Sequence, residues 1–524
     1  MLLLLLFACA FLSQSAYGSP VASLTALAPV NSTIPQSALT STPVSVSNTC
    51  TDISICRTKY TIIWSSLVTI LACVWTAVHR NVPAPEEVGE SRTWRIVCQA
   101  SVAAKIVLVA ALVPEWVFAW AVRQRLNARE IGRELEAARL EAEGKWSERL
   151  KGARPAPTEG DTVGGQSATA TSTETSPFLG NEARPTSTHN GLSGERSEEK
   201  QPDFDDSIVT AKEQTGRLRG KWTARHGFFV TMGGFHYYKD GEPRHPLSRH
   251  DVVQLVRRGD LVPPTDEEIR NWSQGDVLSK TIAVVQTLWF VIQAIARRIE
   301  GLPITQLEIM TLAYTTITVA MYVAWWDKPQ NVGGPVRVAV KELPEPALVQ
   351  PRQYWSTHIF YVIAGMQDTL VDLRHKRHVP TFYGGSTYHN TLLVGGSGHN
   401  HMISADVTAL CAAIVFGAVH CVAWSYAFPT PTEHHIWRVF SLIIVTLPAA
   451  MLVPVLAMLI MLRNSVKIPD IIGIGLFPFL FTSCSLPYIA ARLHLLALSF
   501  STLRSLPPEA YHAVQWTLLI PHFT

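Results

Sequence analysis

Charge is scarce in this chain. Asp, Glu, Lys and Arg make up 16% of its 524 residues, against about 25% in ordinary soluble domains. The 44 basic and 41 acidic residues leave a net charge of +3, so there is no global basic field and no nucleic-acid partner is expected. Cysteine is also sparse: of eight, Cys73, Cys98, Cys411, Cys421 and Cys484 lie within or beside apolar runs, where a thiol behaves as a small hydrophobe. That excludes a disulfide-rich scaffold. The common catalytic signatures are missing too. "GGSGHNH" lacks the Gly-Lys-Ser/Thr ending of a phosphate loop, no G-x-S-x-G elbow occurs, and there is no H-E-x-x-H. The reading therefore assigns no catalytic residue, no cofactor and no metal.

What is abundant is apolar sequence, 47% of the chain, gathered into runs of about 20 residues, the length that crosses a hydrocarbon core. They fall near 60–78, 98–122, 281–298, 306–326, 405–428, 437–461 and 471–500. The expected fold is all-α: a polytopic transmembrane bundle of about seven helices with a small α-rich loop subdomain. Residues 1–18 read as a signal peptide ending in Ala16-Tyr17-Gly18, and 19–59 as an exported Ser/Thr/Pro-rich segment. In that segment "NST" makes Asn31 a glycosylation acceptor. Cys50 and Cys56 are either a small disulfide loop or two unpaired thiols. Residues 60–126 hold the first membrane helices, 127–151 a charged helix, and 152–205 a linker too polar to fold. A membrane-proximal subdomain occupies 206–277. In it, Asp240-Gly241 marks a turn, Ser248 caps a helix ending at Gly259, and Thr265 with Glu268 forms a capping box. A helix hairpin follows over 278–326, then a large loop over 327–403, membrane helices over 404–503, and a tail over 504–524.

Topology is in tension. An exported N-terminus and two crossings would put residues 123–277 outside, yet Arg123, Arg125, Arg129 and Arg133 mark a cytoplasmic flank. A re-entrant second run, interrupted by Lys105, Pro114 and Glu115, reconciles the two. Asn271, in a second acceptor sequence, reports the side of that loop.

Ionisable and amide groups inside membrane helices are costly, so each is a candidate for a binding site or a packing contact. Gln286, Gln293 and Arg297 share one helical face, and Lys105, Glu115, His420 and Arg492 are candidates to meet that stripe from other helices. The alternative role is interhelical hydrogen bonding that holds the bundle together. Five histidines, His375, His378, His389, His399 and His401, crowd a glycine-rich loop, but without a ligand pattern a solvated loop is the better reading. In "VHCVAWSYAFPTPTEHHIWR", Thr430 to Glu433 form a capping box, and His420 lies about 12 Å deeper than Phe428. That separates His420 from His434 and His435.

Segments such as "LVPEWVFAWAVRQ", "ARHGFFVTMGGF", "GDVLSKTIAVVQTLWFVIQAIARRIEGLPITQLE", "YVAWWDKPQNV" and "YIAARLHLLALSFSTLRSLPPEAYHAVQWTLLIPHF" resemble a family of multi-pass membrane proteins widespread in filamentous fungi. The resemblance covers most of the chain apart from the start, the 152–205 linker and the His-rich loop. It implies a fungal integral membrane protein and brings no site residue with it. The expected role is a non-enzymatic receptor, sensor or scaffold that enters the secretory pathway, with the lipid bilayer and membrane or cytosolic proteins as partners. The alternatives are a transporter or channel using the 281–298 helix, or a membrane enzyme.

Overall fold

The computed structural model describes residues 56–85, 91–152, 220–273, 277–340, 343, 368, 371–385, 397–464 and 477–516. Asn31, Cys50, residues 1–18, residues 153–205 and His389 lie outside them. The chain forms two units. One comprises residues 1–138 and 220–524, and the other Arg139–Arg219.

The fold is all-α, with eleven helices among the described residues. They are α1 (Lys59–Ala77), α2 (Arg92–Leu112), α3 (Pro114–Gly152), α4 (Ala224–Thr231), α5 (Arg249–Arg258), α6 (Asp266–Trp272), α7 (Val277–Ile299), α8 (Gln306–Ala324), α9 (Ser397–His420), α10 (Pro431–Arg463) and α11 (Phe477–Ser501). Seven contain stretches long and apolar enough to cross a membrane: α1, α2, α7, α8, α9, α10 and α11. This is a multi-pass membrane protein. Leu, Val, Ile and Trp side chains such as Trp64, Leu71, Val284 and Val453 stay exposed on these helices, as a lipid-facing surface requires.

Helix α8 is the centre of the bundle, packed by α1, α7, α9 and α11. Its sequence explains how it tolerates burial. Thr311, Thr316 and Thr318 each return their hydroxyl to the carbonyl four residues back, and Thr315 to the one three back, so none needs water. Gly417 lets α9 approach α10 closely, since a Cβ there would stand 2.8 Å from the Ile444 carbonyl oxygen.

The contacts fix which ends lie together. At one end Arg57 pairs with Glu308 at 2.5 Å, Cys56 bridges His512, and Glu433 accepts from Ser501 and Arg504. At the other, Lys328 reaches the His79 carbonyl and the Val82 amide donates to the Met232 carbonyl. Helices α1 and α8 therefore run parallel, and residues 78–85, 220–273 and 325–338 share one end. The α2–α3 corner at Val113-Pro114 lies between the two ends. Tyr314, about 12 Å into α8, donates to the Ala111 carbonyl. Arg125, about 15 Å further along α3 than Glu115, donates to the Val323 and Ala324 carbonyls where α8 ends. Only five residues separate Pro85 from Ser91, a reach of about 20 Å over six steps. The α2–α3 pair thus enters and leaves by the same end, with its corner at half depth, and the arginine-rich stretch 123–133 shares that end with the subdomain.

The subdomain carries α4, α5 and α6 together with a small sheet that the sequence reading did not identify: β1 (Phe235–Lys239), β2 (Glu242–Pro246) and β3 (Val336–Val338), in the order β2-β1-β3, with β1–β2 antiparallel and β1–β3 parallel. Asp240 and Gly241, at φ 55° and 81°, form the hairpin turn. The reciprocal capping boxes of α5 and α6 at Ser248/Asp251 and Thr265/Glu268 are present, and Gly259 ends α5 in the left-handed conformation. The subdomain core joins Val82, Ile131 and Leu135 of α3, Trp222, Phe229, Phe235, Leu255 and Val338. Helix α3 is thus as much a wall of the subdomain as a member of the bundle. In the second unit its continuation carries the ion pairs Arg139–Glu143 and Glu141–Lys145, which suit a solvated helix.

Candidate functional site

Glu115 stands in the first turn of α3, where the helix dipole favours a carboxylate. Arg492 of α11 donates to its Oε1, and so does the Tyr488 hydroxyl at 2.6 Å. Tyr488 and Arg492 share a helix face because they are four residues apart. The guanidinium also reaches the Tyr314 hydroxyl at 3.4 Å and lies 4.1 Å from the Phe416 ring centroid. Both charged groups are buried. Such a pair persists in a low-dielectric interior only with good geometry and added hydrogen bonds, and the two tyrosines supply them.

One turn beyond Phe416, His420 is fully buried. Its Nδ1 lies 2.9 Å from the Phe416 carbonyl oxygen; a carbonyl can only accept, so Nδ1 carries the proton. Nε2 is left as an acceptor, facing the Met310 thioether at 3.3 Å, which has no proton to give. A second acceptor in this cluster, Glu115 Oε2, has no partner either. His420, Arg492, Tyr314, Met310, Leu112 and Leu493 line one cleft.

At the subdomain end of the bundle Lys328 is buried without a carboxylate. Its ammonium donates to the His79 carbonyl (2.5 Å) and Gln124 Oε1 (2.8 Å), approaches Asn81 Oδ1 (3.4 Å), and lies about 5 Å from the Trp120 and Trp325 ring centroids. Burial pushes its pKa well below 10.5. Gln124 in turn donates to the Tyr383 carbonyl and accepts from the Trp325 indole.

Further along α3, Glu134 and Glu130 hold Arg249 of α5, and Glu136 accepts from the Trp222 amide. Glu130 also meets His401 of α9, Nδ1 to Oε2 at 3.2 Å. This contact is too poorly aligned for a good hydrogen bond, as both atoms lack a partner on angular grounds, and we treat it as an electrostatic contact. His401 foremost, with Arg249, brings the Glu130 pKa down to about 2 against the opposing effect of burial.

Of the predicted polar groups, Glu115, His420 and Arg492 converge. The proposed stripe does not join them. Gln286 donates to Thr69 of α1, and Arg297 binds the Pro303, Ala510 and His512 carbonyls at the opposite end from the subdomain. Gln293 is half-buried and Lys105 is exposed on α2. His434 accepts no metal role: it bonds the Trp424 carbonyl and stacks on Phe428. Among the described residues no three His, Cys, Asp or Glu side chains are grouped to hold a metal ion. Tyr314, Tyr488, Met310 and Lys328 did not stand out in the sequence. The i, i+4 spacing of Tyr488 and Arg492 was the available signal for one of them.

Cys56 is disulfide-bonded, its partner lying outside the described residues. A family profile described as a family of unknown function (DUF8562) matches residues 32–154 and 195–351. That is more than half of the chain, which therefore belongs to this family. No curated protein and no solved structure matches.

Proposed function

We propose that this member of a family of unknown function is a membrane receptor or sensor in which α3 links the intramembrane cluster to the subdomain. One observation carries the reading. A single helix bears Glu115 in the cluster, Gln124 at the lysine node, and Glu130, Glu134 and Glu136 on the subdomain. From Glu115 to Glu136 is about 31 Å at 1.5 Å per residue. A change in how Glu115 is engaged at its start shifts a wall of the subdomain at its far part.

In this proposal the end bearing Cys56 faces an oxidising lumen or exterior, and the subdomain faces the cytosol, beside Arg123, Arg125, Arg129 and Arg133. An N-terminal signal segment, glycosylation at Asn31, entry into the secretory pathway and a fungal source belong to the same reading, as do cytosolic partners docking on the large loops. The transporter alternative is weaker because Gln286 and Arg297 are already engaged in holding helices and loop carbonyls.

The test is limited proteolysis of the full chain in nanodiscs, wild type against Glu115→Gln. The proposal expects a changed cleavage rate within residues 222–273. An unchanged pattern there, in a variant whose bundle stays folded, contradicts it.

A further inference from the structure

The His420 cleft contains a buried acceptor with nothing to accept from. With Nδ1 committed to the Phe416 carbonyl, Nε2 must face either a donor or an energetic deficit comparable to a lost hydrogen bond. Glu115 Oε2 is in the same condition. Apart from His420, Arg492 and Tyr314 the cleft is apolar, walled by Leu112, Leu493 and Leu496, and Leu493 is 46% exposed on the lipid-facing surface. Its depth is also defined: Met310 is four residues, about 6 Å, into α8. Tyr314 is about 12 Å in, beside Leu112 at the α2–α3 corner, so the cleft runs from about 6 Å below the end opposite the subdomain to the half-depth corner.

We infer that this cleft receives the hydroxyl group of an uncharged lipid from the adjacent leaflet, the hydroxyl donating to His420 Nε2 while the hydrocarbon lies against Leu112, Leu493 and Leu496. The charge pattern selects the class. Arg492 is already matched by Glu115, so an anionic headgroup finds no free cation. A cationic headgroup would meet the guanidinium. A neutral alcohol supplies the missing donor without disturbing the pair. The inference names the input of the receptor reading and rests on that reading only for what binding would cause.

The experiment uses the full chain in phosphatidylcholine nanodiscs containing a photoreactive sterol or a photoreactive diacylglycerol, each compared with its own O-methyl ether. Labelling is mapped to peptides containing Leu112, Leu493 or Leu496. The free alcohol should label these peptides about fivefold more than the ether, the scale of one buried hydrogen bond. His420→Phe should erase that preference. Should His420→Phe fail to fold, Leu493→Trp, at a lipid-exposed position, should block labelling by filling the mouth. Which of the two lipids labels identifies the source of the hydroxyl. Equal labelling by alcohol and ether overturns the inference, and so does absence of labelling by both, which would leave the acceptors to water. Proteolysis of residues 222–273 is read in the same samples. Labelling without a change there leaves the lipid site standing and counts against the receptor reading. A change with Glu115→Gln but no lipid labelling does the reverse.

Discussion

Arg492 keeps its charge within the bundle because every side of its guanidinium is engaged: by Glu115, by two tyrosine hydroxyls and by the Phe416 face. Removing one member leaves the other charge buried and unpaired. Arg492→Leu should therefore cost about 3–5 kcal/mol, read as a fall in thermal unfolding temperature. The double variant Glu115→Leu/Arg492→Leu should recover most of that loss, because two apolar side chains replace the pair without an orphan. Lys328 tests the same logic without a counter-ion. Lys328→Met strips the donor from the His79 carbonyl and Gln124 and should destabilise by about 2 kcal/mol or more, measured by the same unfolding assay. At this scale Glu115, His420 and Arg492 were legible in the sequence because an ionisable residue in an apolar run is conspicuous. Tyr314 and Tyr488 were not, since tyrosine is common in membrane helices and its partners come from distant segments. Lys328 follows the Trp325-Trp326 end of α8 and looks like a headgroup lysine until the loop around His79 is folded over it.

Helix α3 and the subdomain meet through small residues. A Cβ on Gly227 would stand 1.9 Å from the Ala128 carbonyl oxygen, a clash with backbone that cannot turn aside. Gly227→Ala should force α4 from α3 at a cost of about 1–3 kcal/mol, visible as faster proteolysis of residues 222–273 with the bundle intact. The subdomain should also be acid-sensitive. Burial foremost, with the nearby His245 charge, lowers the His236 pKa from 6.5 to about 4. Between these values the unfolded chain binds a proton that the folded one does not, so stability falls as pH drops from 6.5 towards 4. Subdomain tryptophan fluorescence should report a lower melting temperature at about pH 4.5 than at about pH 7.5, with a smaller difference in His236→Gln. The helices and their caps were readable because Ser248, Gly259, Thr265 and Thr430 act on neighbours a few residues away. The sheet was not. Its hairpin showed only as the Asp240-Gly241 turn, and β3 is three residues long and reaches β1 from beyond two membrane helices. Local pattern cannot signal such a pairing.

At the scale of the whole molecule, the proposed orientation accommodates both an exported N-terminus and an arginine-flanked cytosolic loop. Among the described residues six candidate spans run from one end of the bundle to the other, and the α2–α3 pair turns back at half depth, so an exoplasmic Cys56 and a cytosolic subdomain are compatible. Composition could locate the apolar runs but could not say which one turns at half depth, because α2 is as long and apolar as its neighbours. What places the α2–α3 corner within the bundle is a set of long-range contacts: Arg57 to Glu308, Val82 to Met232 and Tyr314 to Ala111. In this arrangement Asn271 should remain unglycosylated in cells, while a new acceptor sequence placed among residues 505–515 should be modified. The reverse pattern would invert the orientation.

The linkage through α3 is tested most directly by hydrogen exchange on the full chain in nanodiscs, comparing wild type with Glu115→Gln and with Glu433→Gln as a control at the opposite end of the bundle. The account predicts altered protection in the amides of residues 222–258 for Glu115→Gln and none for Glu433→Gln. Identical protection of those amides in wild type and Glu115→Gln would contradict it.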